Sequence, residues 1–174
     1  MKRLLLSLFL TTALVSASPA QEAGGFDAMS NSEIDSHAGE LHPAALYLLA
    51  SRLFAEGKGQ EAANWMYAAQ LRYRFLLEVG GEAARDDAVL FSALSEQVGR
   101  PINEYIGGDV DEWIAAMDWA LEWDAATENT VTSKTEHAAV LAEVRAGLQS
   151  LRADVEANRE TIPTERAANG LENR

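Results

Sequence analysis

The chain contains no cysteine. That excludes disulfides, thiol nucleophiles, thiolate metal sites and the acylated cysteine of a lipoprotein, so stability has to come from an ordinary hydrophobic core. Histidine is almost as scarce, at three residues, and proline occurs four times. Three scattered histidines give neither a nucleophile with its base nor a helical i, i+4 zinc pair. Basic residues are also few, with 14 Lys and Arg against 27 Asp and Glu and a net charge of -13. A field of that sign keeps a protein soluble and repels phosphate backbones and anionic lipid. Nucleic-acid and membrane-surface binding are therefore disfavoured; a basic protein partner is compatible with the charge, although solubility alone accounts for it more simply. No stretch alternates with period two for long enough to make a strand, so the chain reads as all-α.

One apolar run stands out, residues 4–15, and at about a dozen residues it is too short to span a bilayer core. It follows the basic start Met1-Lys2-Arg3 and precedes the small residues Ser16-Ala17-Ser18-Pro19-Ala20. These are the three regions of a secretory signal peptide, expected to be cleaved after Ala20 on the way to the periplasm. Loss of Lys2 and Arg3 with it would make the exported chain more acidic still.

Residues 21–42 mix glycine with small polar residues and read as a flexible leader, with at most a short helical turn between Ser32 and His37. Residues 43–158 read as one all-α domain of about five helices. Pro43 suits a first helical turn because its missing N–H is not needed there. A helix through Glu56 ends at Gly57, and a second, over residues 60–79, is closed by Gly80-Gly81. The three-residue connection makes the two antiparallel. Asp86-Asp87 offers a cap for a helix over residues 86–98, with Val89, Leu90, Phe91, Leu94 and Val98 in one stripe and Gly99 as its stop. Pro101 to Ile106 reads as a short turn. Asp109 or Asp111 caps a helix over residues 110–125 that carries Trp113, Ile114, Met117, Ala120 and Leu121 inward. Ser133-Lys134-Thr135-Glu136 has the pattern of a capping box opening residues 133–158. On that last helix Leu141, Val144, Leu148, Leu151 and Val155 form a seam for packing within the bundle or for a homodimer. Residues 159–174 read as a frayed polar tail.

Leu46, Leu49, Ala50, Leu53, Gly57, Ala62, Trp65, Met66 and Ala69 place large residues of one helix opposite small residues of the next, across a glycine turn. This hairpin resembles a single tetratricopeptide-type repeat of the Sel1-like kind. Arg74 stands where such repeats often have proline, and no second copy follows. The resemblance implies a protein-binding groove lined by Tyr47, Ser51 and Phe54, unless later helices cover that face and leave both aromatics in the core. It also implies an adaptor-type role without catalysis, with an immunity protein against an envelope-directed toxin as one form.

Other constellations are weaker. His37 and His42, with Glu33, Asp35 and Glu40, are the densest group of metal-ligand types, yet they straddle Gly39 and read more simply as surface residues. No cofactor is expected. Trp113, Trp119 and Trp123 lie among Asp111, Glu112, Glu122 and Asp124, where a sugar or cation could sit. Arg72 or Arg74 is expected to pair with a carboxylate from another helix, with Arg52 joining that network or touching a partner. The competing functions are a small-ligand or metal-dependent enzyme of the envelope and a self-associating structural protein.

Overall fold

Pro43 does sit in the first turn of a helix, and that helix opens the central hairpin of the molecule. The structure, a computed structural model, describes residues 25–174; these are all-α, with no strand among them. The expected signal peptide of residues 1–20 lies outside the described residues.

From residue 25 onward the leader is ordered against the fold. Ser30 opens helix α1 (Asn31–Ser36) with a capping box, its hydroxyl accepting from the Glu33 N–H at 3.3 Å while its own N–H donates to Glu33 Oε2 at 2.7 Å. Phe26 and Ile34 are buried, and the Arg52 guanidinium donates to the carbonyls of Met29 at 2.6 Å and Asp27 at 2.8 Å. Two apolar anchors and one arginine suffice to dock a segment whose composition is otherwise that of a linker.

Helix α2 (Pro43–Ala55) is capped by His42, whose Nδ1 accepts from the Ala44 N–H. Gly57 turns the chain with φ at +79°, the left-handed region that favours glycine. Helix α3 (Gly59–Gly80) returns along α2 and is the axis of the fold. Leu46, Leu49, Ala50 and Leu53 of α2 are buried with Ala62, Trp65, Met66 and Ala69 of α3, as large-against-small packing requires.

After the 3-10 turn Gly81–Ala84, helix α4 (Arg85–Leu94), a π turn (Ser95–Gly99) and helix α5 (Arg100–Ile106) form one continuous rod. Two expectations are corrected. Asp86 and Asp87 lie inside the first turn and cap nothing, because helical backbone already runs in from Gly81. Gly99 does not stop the helix either. Pro101 can neither donate to the Gln97 carbonyl nor fit closely against it, and the wider π turn, in which the Arg100 N–H donates to the Ser95 carbonyl, gives its ring room.

Helix α6 (Val110–Ala126) is capped by Asp109, which accepts from the Glu112 N–H at 3.0 Å. Ile114, Met117, Ala120 and Leu121 are buried on it, as the stripe predicts, while Trp113 of the same stripe is only half-buried. Helix α7 (Ala138–Ala157) starts five residues later than the Ser133 pattern suggests. Residues 134–137 form a turn instead, at which Ser133 Oγ accepts from the Glu136 N–H at 3.3 Å as expected, and Lys134 donates to the carbonyls of Asp124 and Thr127. The tail is not frayed. It forms helix α8 (Ile162–Ala168), Arg166 donates to the Glu104 carbonyl, and Arg174 lies over the Tyr105 ring while pairing with Glu112.

Candidate functional site

Helix α3 meets α2 on one side and α6 on another, and α7 lies beside it against α6. A ladder of charge runs along the contact between α7 and α6. Arg145, Arg152 and Arg159 recur at steps of seven and pair with Asp124, Asp118 and Asp111, at 2.6, 3.2 and 2.7 Å. The register runs α7 antiparallel to α6. Its apolar stripe is less completely used: Val155 is buried, Leu141, Val144 and Leu148 are half-buried, and Leu151 is exposed.

The ladder is strongest at Asp124, which is fully buried and meets Arg72 at 2.7 Å, Arg145 at 2.6 Å and Lys134 at 3.5 Å. Arg72 also donates to the carbonyls of Glu128 at 3.0 Å and Thr127 at 2.9 Å, beyond the last turn of α6. Its guanidinium lies 4.8 Å from the centre of the Trp123 ring. The cluster thus gathers cations where a helix C-terminus presents unpaired carbonyls. Burial pulls Lys134 and Arg72 below their ordinary pKa values, against the opposing attraction of Asp124.

The opposite flank of α7 does not close on α3. Between them lies a cleft of about 450 Å³ whose floor is Tyr67, Gln70 and Leu71, with Arg74 and Glu78 further along the helix. Val140, Val144, Leu148 and Leu151 form the α7 wall, interrupted by Gly147. Gln70 and Arg74 also border a second, more open hollow on the side of α4 and α5. A buried polar chain underlies both hollows, in which Trp113 Nε1 donates to Tyr67 Oη at 2.5 Å and that hydroxyl donates to Asn103 Oδ1 at 2.8 Å. Burial pushes the Tyr67 phenol up to about 12, so it stays a neutral donor.

The residues singled out by sequence fall elsewhere. Tyr47 is fully buried, its hydroxyl 3.3 Å from Ser95 Oγ and its ring against Tyr73 and Phe91. Phe54 is half-buried and meets the edge of Tyr105, while Ser51 is half-buried beside them on α2. The rod of α4 and α5 covers that face, so the expected groove over α2 does not form and Tyr47 is a core residue. His37 is exposed and hydrogen-bonds locally, whereas His42 spends one ring nitrogen capping α2 and the other on Asp87 at 3.1 Å. Among the described residues no three His, Asp or Glu side chains gather as a metal site. Trp119 and Trp123 stack on each other and receive the edge of Trp65, so the tryptophans of α6 serve packing. Arg72 takes the carboxylate partner expected of it or Arg74. Arg52 stands apart from that network and clamps the N-terminal segment.

The α3–α7 cleft was not expected as a site, although its α7 wall is the seam from Leu141 to Val155. The sequence signal that could have located it is the seven-residue spacing of Arg145, Arg152 and Arg159 against Asp111, Asp118 and Asp124, which fixes the face α7 turns to α6. No family model matches the chain, and no curated protein or solved structure matches it.

Proposed function

We propose that this is an exported, non-catalytic protein that acts by binding another protein in the cleft between α3 and α7. The observation that carries the reading is the α7 wall, where Val140, Val144 and Leu148 are only half-covered and Leu151 is 40% exposed beside a cleft bordered by charged residues. An apolar strip rimmed by polar groups is the usual composition of a recognition surface. Export rests on residues 1–20, and the single tetratricopeptide-like hairpin supplies the rigid floor. Neutralising an envelope-directed toxin, as an immunity protein does, is the form of binding we favour, because compartment and acidic charge both suit a basic effector.

The test is affinity capture from an envelope extract with the wild-type protein and with Gly147→Leu, which places a side chain in the cleft without touching the core. A partner held by the wild type and by the surface control Val89→Ser, but lost from Gly147→Leu, supports the reading. The same proteins on all three baits would overturn it. Exposure of Leu151 favours self-association as a second reading, and light scattering that finds a monomer at working concentration removes it.

A further inference from the structure

Resting on that reading, we propose that the cleft takes a cationic amphipathic α-helix of the partner, laid along α3 and α7 with its apolar face inward. Three features of the cleft define this occupant.

The first is the backbone of its walls. Apart from Val140 in the first turn of α7 and Glu78 in the last turn of α3, both are helix interiors, whose N–H and C=O groups are spent within α3 and α7. An extended peptide would find no sheet edge here to satisfy its own backbone, whereas a helix arrives with those bonds already made.

The second is Gly147, in the middle of α7. A Cβ built there meets no atom within 4 Å, and its φ lies outside the left-handed region, so nothing within the chain requires glycine. Glycine destabilises a helix interior relative to alanine. Its position in the apolar wall lets a second helix approach the α7 backbone closely, as small residues do at tight helix crossings.

The third is charge. Glu78 and Glu143 line the cleft, both are exposed, and among the described residues no salt bridge reaches either. Across the opposite flank of α7, Asp111, Asp118 and Asp124 of α6 each have an arginine. Among the described residues Arg74 is the one cation lining the cleft, and its guanidinium is turned toward the Phe91 ring, 5.8 Å from its centre. The cleft therefore has an acidic surplus on a chain of net charge -13, and lysines or arginines on the edges of an incoming helix answer it.

The experiment uses three labelled synthetic peptides of about 18 residues, long enough to span most of α7. One has a leucine face and a lysine face, one replaces lysine by glutamate, and one has the first composition scrambled so that no face forms. Fluorescence anisotropy measures their binding to the protein, to Gly147→Leu, and to Glu78→Lys/Glu143→Lys, with thermal melts confirming that each variant folds. The faced lysine peptide is expected to bind about tenfold or more tighter than either other peptide, to lose about that factor on Gly147→Leu, and to lose its advantage over the glutamate peptide on the double reversal. Equal binding of faced and scrambled lysine peptides would overturn the proposal as mere charge attraction, and so would binding indifferent to Gly147→Leu. Equal binding of the glutamate peptide, still sensitive to Gly147→Leu, would overturn the cationic helix while leaving the cleft as a protein-binding site. If no peptide binds, the helical occupant is wrong, and the capture experiment still decides the broader reading.

Discussion

Arg72 Nε stands 2.7 Å from Asp124 Oδ1, joining α3 to α6 through a pair whose side chains are 3% and 0% exposed. The contact is a close ion pair rather than an aligned hydrogen bond, since neither atom has a hydrogen-bond partner. Arg145 and Lys134 approach the same carboxylate, so one acid restrains three cations drawn from α3, α7 and the turn before α7.

Removing that acid should be far worse than removing one outlying cation. Asp124→Ala leaves Arg72 buried without a counter-charge, and a loss of about 3–5 kcal/mol is expected. Arg145→Gln, at a side chain 24% exposed, should cost about 1 kcal/mol. Urea denaturation of the two variants checks the ordering, and equal losses would show that the cluster is not organised around Asp124.

The outer rungs of the ladder should respond to salt. Arg152 with Asp118 and Arg159 with Asp111 are partly open to water, and at 1 M salt the screening length falls to about 3 Å. Amide exchange in α7 should quicken between low and high salt while α2 and α3 stay protected. A uniform response across all three helices would argue against α7 being held chiefly by charge.

Acid should loosen the molecule from its edges. Hydrogen bonds hold the carboxyls of Glu33 (from Ser30), Glu56 (from Lys58) and Glu156 (from Arg159) below the ordinary value of 4.5. The folded state therefore binds fewer protons than the unfolded chain between those lowered values and 4.5. The stability they contribute is complete above pH 4.5 and is lost as pH falls through the folded values. Denaturation midpoints between pH 6 and pH 3 should decline, and Glu33→Gln should flatten part of that decline. An unchanged profile in Glu33→Gln would remove the capping box from the account.

Gly147→Ala should stabilise the fold. With open space at its Cβ and ordinary helical backbone, the substitution is expected to add about 0.5–1 kcal/mol in thermal or chemical denaturation. A loss of stability would mean that the glycine has a packing duty within the chain.

The hairpin of α2 and α3 could be read from the sequence because its determinants are local. Pro43, Gly57 and the alternation of leucines with alanines act within one or two turns. The cap at Asp109 and the buried stripe of α6 are legible for the same reason. What escaped depends on partners far apart in the chain. Phe26, Ile34 and Arg52 dock a leader whose composition is that of a linker, and Arg174 anchors a tail by lying on Tyr105, 69 residues away. Tyr47 and Phe54 belong to α2 as expected, but their exposure was decided by the rod of α4 and α5, whose continuity through Gly99 no local rule foretells. The cleft was hidden because period and hydrophobicity mark Leu141 to Val155 as apolar without saying which members another helix covers.

That rod has a geometric consequence. Each residue of an α-helix advances the face by about 100°, and a π turn takes in one residue more than an α turn. The interval from Ser95 to Gly99 therefore resets the phase of the helix without ending it. Before the reset Phe91 rests on Tyr47 and Tyr73; after it Ile102 and Ile106 are fully buried, and Asn103 reaches Tyr67. A single continuous helix thereby presents two differently oriented faces, one closing over the start of the hairpin and the other supporting the floor of the cleft.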